Sequence, residues 1–216
     1  MDQLSPLNAT AETFLDCLAR ADHRTWPYNF WLLRDALPAA VSHGIANRPF
    51  APPEGAVFNG RREANNSTRV YFSPANQAKY AVCKEVADAF HHPRMIKALE
   101  QRTGTSLAHG RLRIECCQDV DGFWLEPHLD ISVKLFTMLV YLSEDPQLRD
   151  AGTDVYEGPP DYKPVTTAPY EFNCGLIFIP GTDTWHGFTK RPIRGLRKSI
   201  IINYVKPDWR AVEELA

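Results

Sequence analysis

Beyond Leu107 the chain is cut into short apolar runs separated by Pro, Gly and Asp turns, and this texture constrains the fold more than any other feature. The runs cover 107–118, 124–131, 134–142, 153–156, 174–179, 184–188 and 197–205. Short strands at such spacing predict a barrel or sandwich and argue against βαβ units. The first hundred residues read differently, as helix and loop. Residues 9–21 carry Phe14, Leu15 and Leu18 at helical spacing, behind Asn8 or Thr10 as a cap. The aromatic stretch 26–33 predicts a strand, and Asp35 is read as the cap of a short helix ending near His43. A long polar loop follows over 49–69. Residues 74–90 predict one helix, with Ala78, Val82, Val86 and Phe90 four apart, and 93–102 a second, with Pro93 in its first turn and Gly104 past its end. A closing helix is expected over 207–216. The whole reads as one domain over 1–216, with a helical and loop part (1–106) ahead of a β core (107–206).

Composition removes several function classes. With 44% apolar residues in 216, the chain can bury a real core. The 24 Lys+Arg nearly cancel the 26 Asp+Glu, which excludes charge-driven disorder and argues against nucleic acid as a partner. The strongest apolar run, 135–142, is too short to span a bilayer. The opening Met1-Asp2-Gln3-Leu4 has no basic or apolar leader, and the five cysteines are irregularly spaced with no C-x-x-C pair. A reduced, cytoplasmic protein without disulfides or membrane contact is expected.

Chemistry concentrates on two histidines. His128 and Asp130 form an H-x-D step, which on a strand puts both side chains on one face. An imidazole and a carboxylate converging on one point make two thirds of a facial metal triad. The third ligand is expected on a distant strand. His186 follows an apolar run and a Pro180-Gly181 turn, which would return the chain to the same end of a barrel. Beyond it, Arg197 and Ser199 share a strand face, and an arginine fork with a hydroxyl suits a dicarboxylate's far carboxylate. His23, His43, His91, His92 and His109 are read as solvated or capping. Lys190, Arg191 and Arg194 sit in a turn around Pro192, and Asp154 and Asp183 lie near turns without ligand spacing.

These residues, in this order, resemble the 2-oxoglutarate/Fe(II)-dependent dioxygenase superfamily in its prolyl-hydroxylase-like branch. The match covers roughly 107–205 and rests on His128-x-Asp130, the distant His186 and the Arg197-x-Ser199 pair. The strand 134–142 also resembles the family strand that follows H-x-D. The stretch 27–33 looks like the opening strand of bacterial members. The resemblance implies a mainly β fold with flanking helices around a double-stranded β-helix, a jelly-roll core of cupin type. It implies Fe(II) held by His128, Asp130 and His186, with 2-oxoglutarate and O₂ as cosubstrates. It places Arg197, Ser199, Thr137 and Tyr141 on the 2-oxoglutarate, the Tyr141 hydroxyl beside Arg197, with Leu139 lining the same pocket. Asp130, where halogenases of the superfamily carry a small residue, favours hydroxylation of an unactivated C–H bond, or a related desaturation or cyclisation, with release of succinate and CO₂.

Other classes give alternatives: a non-catalytic β-helix binding module, or a cupin-type metal enzyme that does not use 2-oxoglutarate. The substrate is expected to be a small polar molecule, with Arg62, Asn66 and Arg69 in the long loop 58–72, and Trp124 beside the ligands, as recognition residues.

Overall fold

The strand 134–141 shows how the layers arise, because both of its faces are apolar. Phe136, Met138 and Val140 point one way, and Leu139 and Tyr141 the other, so the strand must be covered on both sides. Helices cover one face and a second sheet covers the other.

The structure is a computed structural model and describes residues 5–61 and 69–216. Along the chain run α1 (Ala9–Arg20), β1 (Asp22–Arg24), β2 (Phe30–Leu33), α2 (Ala39–Ala46), β3 (Val70–Tyr71), α3 (Pro74–Lys79), α4 (Ala81–His91) and α5 (Pro93–Thr103). Then come β4 (Arg111–Asp119), β5 (Leu125–His128), β6 (Lys134–Tyr141), β7 (Asp154–Tyr156), β8 (Pro164–Thr167), β9 (Gly175–Phe178), β10 (His186–Phe188) and β11 (Arg197–Val205). Among the described residues the strands form two antiparallel sheets. The larger has the order β1-β2-β9-β6-β11-β4-β3 and the smaller β5-β10-β7-β8. The helix-side core packs Phe14, Val86, Phe90 and Leu99 under Phe136, Met138, Ile200 and Ile202. Leu139, Leu176, Phe178, Ile201, Val155 and Phe188 fill the space between the sheets. No helix among the described residues is long and apolar enough to cross a membrane.

Four expectations differ from what is found. The strand expected over 124–131 ends at His128, so Asp130 lies in the turn after it, while the strand expected within 26–33 is present as β2. Asp35 does not cap a helix. It takes a left-handed φ of 53°, which Asp tolerates, and α2 starts later, behind Pro38. The helix expected over 74–90 breaks at Tyr80, which is extended (φ −128°, ψ 106°). Its ring packs edge-on against Phe50, α3 buries no residue, and Ala78 of the four-residue repeat is exposed. The closing helix is a single 3-10 turn at Val212–Glu214.

Candidate metal centre

β5 and β10 are neighbouring antiparallel strands, and their register sets His128 directly opposite His186. Asp130 follows two residues after β5. One ligand atom from each of the three lies within 4.8 Å of the others. Backbone carbonyls fix both rings: His128 Nδ1 bonds Glu126 O and His186 Nδ1 bonds Thr184 O, each at 2.9 Å. A carbonyl only accepts, so Nδ1 carries the proton and Nε2 the lone pair. Burial, reinforced by His128, pushes the His186 pKa down to about 3, so this ring is neutral at pH 7.

The carboxylate is held as firmly. Lys134 Nζ donates to Asp130 Oδ1 and Thr137 Oγ1 to Asp130 Oδ2, both at 2.6 Å. Asn203 Nδ2 donates to the Thr137 hydroxyl at 2.9 Å, which turns the Thr137 proton toward Asp130. Two imidazoles with fixed tautomers and one anchored carboxylate are a donor set that can hold a divalent first-row metal.

The triad stands between two cavities. An outer chamber of about 340 Å³ meets His128, Asp130, Lys134, Arg113, Trp209 and Glu214. A smaller inner cavity of about 60 Å³ lies between the sheets and meets His128, His186, Thr137, Asp119, Arg197 and Ser199. Arg197 opens β11 and is buried. Its Nε donates to Ala151 O at 2.7 Å and its Nη1 pairs with Asp119 Oδ2 at 2.5 Å. Burial disfavours its charge, but Asp119 more than offsets this and the pKa is raised. Ser199, two residues on, is fully buried with no hydrogen-bond partner for its hydroxyl.

The other sequence candidates scatter. The Tyr141 hydroxyl does not bond Arg197: it donates to Thr153 Oγ1 at 3.0 Å and accepts from Thr153 N, while its ring lies 5.9 Å from the Arg197 guanidinium. Thr137 faces the inner cavity, but its hydroxyl proton serves Asp130. Arg69 does not stand at a mouth. It precedes β3, follows the inward face and pairs with the buried Glu115 at 2.6 Å beside the inner cavity. Trp124 covers Gly60 instead of the ligands. A Cβ there would come within 2.3 Å of the indole, and the φ of +79° also requires glycine. Arg62 and Asn66 lie outside the described residues. Sequence reading missed Asp119 and the role of Lys134. The Lys134 spacing, four residues after Asp130, was visible, whereas Asp119 becomes significant only through the β4–β11 register that sets it opposite Arg197.

No protein-family model matches the chain, and no curated protein sequence does. Solved structures do. A prolyl-4-hydroxylase from Pseudomonas putida is 17% identical with TM-score 0.57, over 91% of this chain and 98% of that one. A prolyl hydroxylase from Trichoplax adhaerens, solved with a hypoxia inducible factor peptide fragment, is 16% identical with TM-score 0.58 over 91% and 89%. SnoN, a non-heme α-ketoglutarate dependent epimerase of nogalamycin biosynthesis, is 15% identical with TM-score 0.53 over 92% and 83%. The chain has the fold of the 2-oxoglutarate/Fe(II) oxygenases. In this double-stranded β-helix the smaller sheet supplies His128 and His186, and the larger sheet supplies Arg197 and Ser199 across the inner cavity.

Proposed function

We propose that the protein is a 2-oxoglutarate- and Fe(II)-dependent oxygenase that hydroxylates an unactivated C–H bond of a small polar substrate. The observation that carries this reading is the placement of one His-Asp-His triad between an inner cavity with a buried arginine and an outer chamber. A binding module needs no triad, and a metal enzyme without 2-oxoglutarate needs no buried arginine in a cavity behind it.

His128, Asp130 and His186 would hold the iron. Iron with 2-oxoglutarate and O₂ supplies the oxidising power, so that substrate C–H becomes C–OH while 2-oxoglutarate becomes succinate and CO₂. The chain's residues do the rest by orientation and exclusion. The carbonyls of Glu126 and Thr184 keep the imidazoles in the ligating tautomer, and Lys134 with Thr137 keeps the Asp130 carboxylate fixed. Arg197 and Ser199 take the far carboxylate of 2-oxoglutarate, and Phe123, Phe188 and Leu139 keep water from that cavity. The substrate enters the outer chamber, whose volume fits a small molecule and whose wall carries charges of both signs from Arg113, Lys134 and Glu214. A net charge of −2 favours such a substrate over nucleic acid, and a reduced cytoplasm suits the irregular cysteines.

The test is succinate release from 2-oxoglutarate by Fe(II)-loaded protein, screened against a metabolite library. The expected result is slow uncoupled turnover that a true substrate accelerates, and its loss in His186→Ala. Turnover that survives His186→Ala, or a metal-loaded protein that consumes no 2-oxoglutarate, refutes the assignment.

A further inference from the structure

On this reading the far carboxylate of 2-oxoglutarate docks on Arg197, yet that guanidinium already carries a carboxylate of the protein. We propose that Asp119 is a built-in competitor for the cosubstrate's far carboxylate and sets how tightly the inner cavity holds a dicarboxylate. The proposal rests on the oxygenase reading and adds to it a residue that governs cosubstrate affinity.

Four observations point this way. Asp119 and Arg197 are cross-strand partners of β4 and β11, so their pairing is built into the sheet register. Both line the inner cavity, with Asp119 Oδ2 on Arg197 Nη1 at 2.5 Å. Arg197 cannot turn away to escape that contact. Its Nε is bonded to Ala151 O, and the rings of Phe188, Tyr170 and Tyr141 surround it at 4.9, 5.7 and 5.9 Å. Finally, the Ser199 hydroxyl lines the same cavity, fully buried and without a partner, so the cavity has a donor for a further acceptor that Asp119 does not serve.

The physics then has a definite sign. With Nε on Ala151 O and Nη1 on Asp119, an incoming carboxylate reaches Nη2 and Ser199 Oγ beside an existing negative charge. Two carboxylates on one guanidinium in a medium of low dielectric repel, whether the ligand shares the fork or displaces Asp119 from it. In the empty cavity the same carboxylate is useful, because a lone buried guanidinium is costly. Asp119 therefore stabilises the ligand-free protein at the expense of cosubstrate affinity.

Asp119→Asn separates charge from geometry, since the amide oxygen still accepts from Nη1. Binding is measured by calorimetry with two probes: glutarate on metal-free protein, and 2-oxoglutarate on Zn(II)-loaded protein, where no turnover occurs. The expected result is binding at least tenfold tighter in Asp119→Asn, with a lower melting temperature without ligand and a larger ligand-induced rise. Asp119→Ser makes the same comparison if the amide variant does not fold. Arg197→Ala should abolish binding of both probes. If wild type binds through Arg197 while the Asp119 variants bind equally or more weakly, Asp119 merely orients the arginine and the proposal fails alone. If neither wild type nor the Asp119 variants bind either probe, the oxygenase reading fails and the proposal with it.

Discussion

The Ser199 hydroxyl is buried and bonds no neighbour, a state that costs a folded chain about 1–3 kcal/mol. Such a cost persists when a ligand repays it. Ser199→Ala should therefore leave the melting temperature of the ligand-free protein unchanged or raise it, while weakening 2-oxoglutarate binding by about tenfold, the size of one charge-assisted hydrogen bond. Calorimetry and thermal melting read the two effects separately. A variant that melts lower and binds normally would make Ser199 a packing residue. Single residues were legible in the sequence where their spacing along one strand carried the meaning. Arg197 and Ser199 are two apart on β11, where the strand period sets them on one face, whereas β5 ends at His128 and the turn after it, not the strand, brings Asp130 to the same point. Asp119 was not legible, because its meaning depends on a partner 78 residues away in the chain. Tyr141 was misplaced for a related reason: the register sets it level with Ser199, but its hydroxyl is taken by Thr153, just ahead of β7.

At the scale of elements, the smaller sheet is pinned by Asp154 at the start of β7. Its carboxylate accepts from Thr167 Oγ1 of β8 at 2.6 Å, and from Thr189 N and Arg191 Nη1 beyond β10, each at 2.7 Å. One buried side chain thus joins β7, β8 and the exit of β10, the strand that opens on His186. Burial raises the Asp154 pKa, but the bonds from Arg191, Thr167 and Thr189 outweigh it and hold the group below its ordinary 3.8. A carboxylate with a depressed folded pKa contributes stability that is complete above the unfolded value and is lost as pH falls through the folded one. Asp154→Asn should therefore cost about 3 kcal/mol at pH 7, the low end for breaking a buried pair, because Arg191 keeps its bond to Gly152 O. The gap to wild type, read from urea unfolding, should hold down to about pH 4 and close below 3.8. A gap that widens on acidification would assign the effect to another group. β8 itself was invisible in the sequence. Pro164–Thr167 is a mostly exposed edge strand with no apolar alternation, and only its pairing to β7 makes it one. The long strands β4, β6 and β11 were legible because each buries nearly every residue.

For the whole molecule, the larger sheet extends past the β core at both edges. β1 and β2 extend it beyond β9, and β3 covers β4, so the segment read as helix and loop also completes the sheet. The aromatic stretch 26–33 announced β2, but hydrophobic pattern could not reveal β1, which is wholly exposed. The last ten residues do a comparable job at the outer chamber. Trp209 lies over the Arg113 guanidinium at 5.1 Å, Glu214 bonds Arg113 Nε at 2.6 Å, and Ala216 N bonds Leu112 O. A short irregular segment suits this task better than the expected helix, because it brings an aromatic face and a carboxylate to one arginine. Trp209 and Glu214 both line the chamber, while the triad and Arg197 lie on β5, β10 and β11 and the turn after β5. A variant ending at Lys206 should therefore separate the two halves of the site. Loss of the Glu214 pair costs roughly 2 kcal/mol, a fall in Tm of about 4–8 °C for a chain of this size. Affinity for 2-oxoglutarate and uncoupled succinate release should persist, whereas acceleration by a substrate should disappear with the chamber wall. If cosubstrate affinity falls in step with substrate-driven turnover, the C-terminal segment supports the fold as a whole and does not serve as the wall of a substrate site.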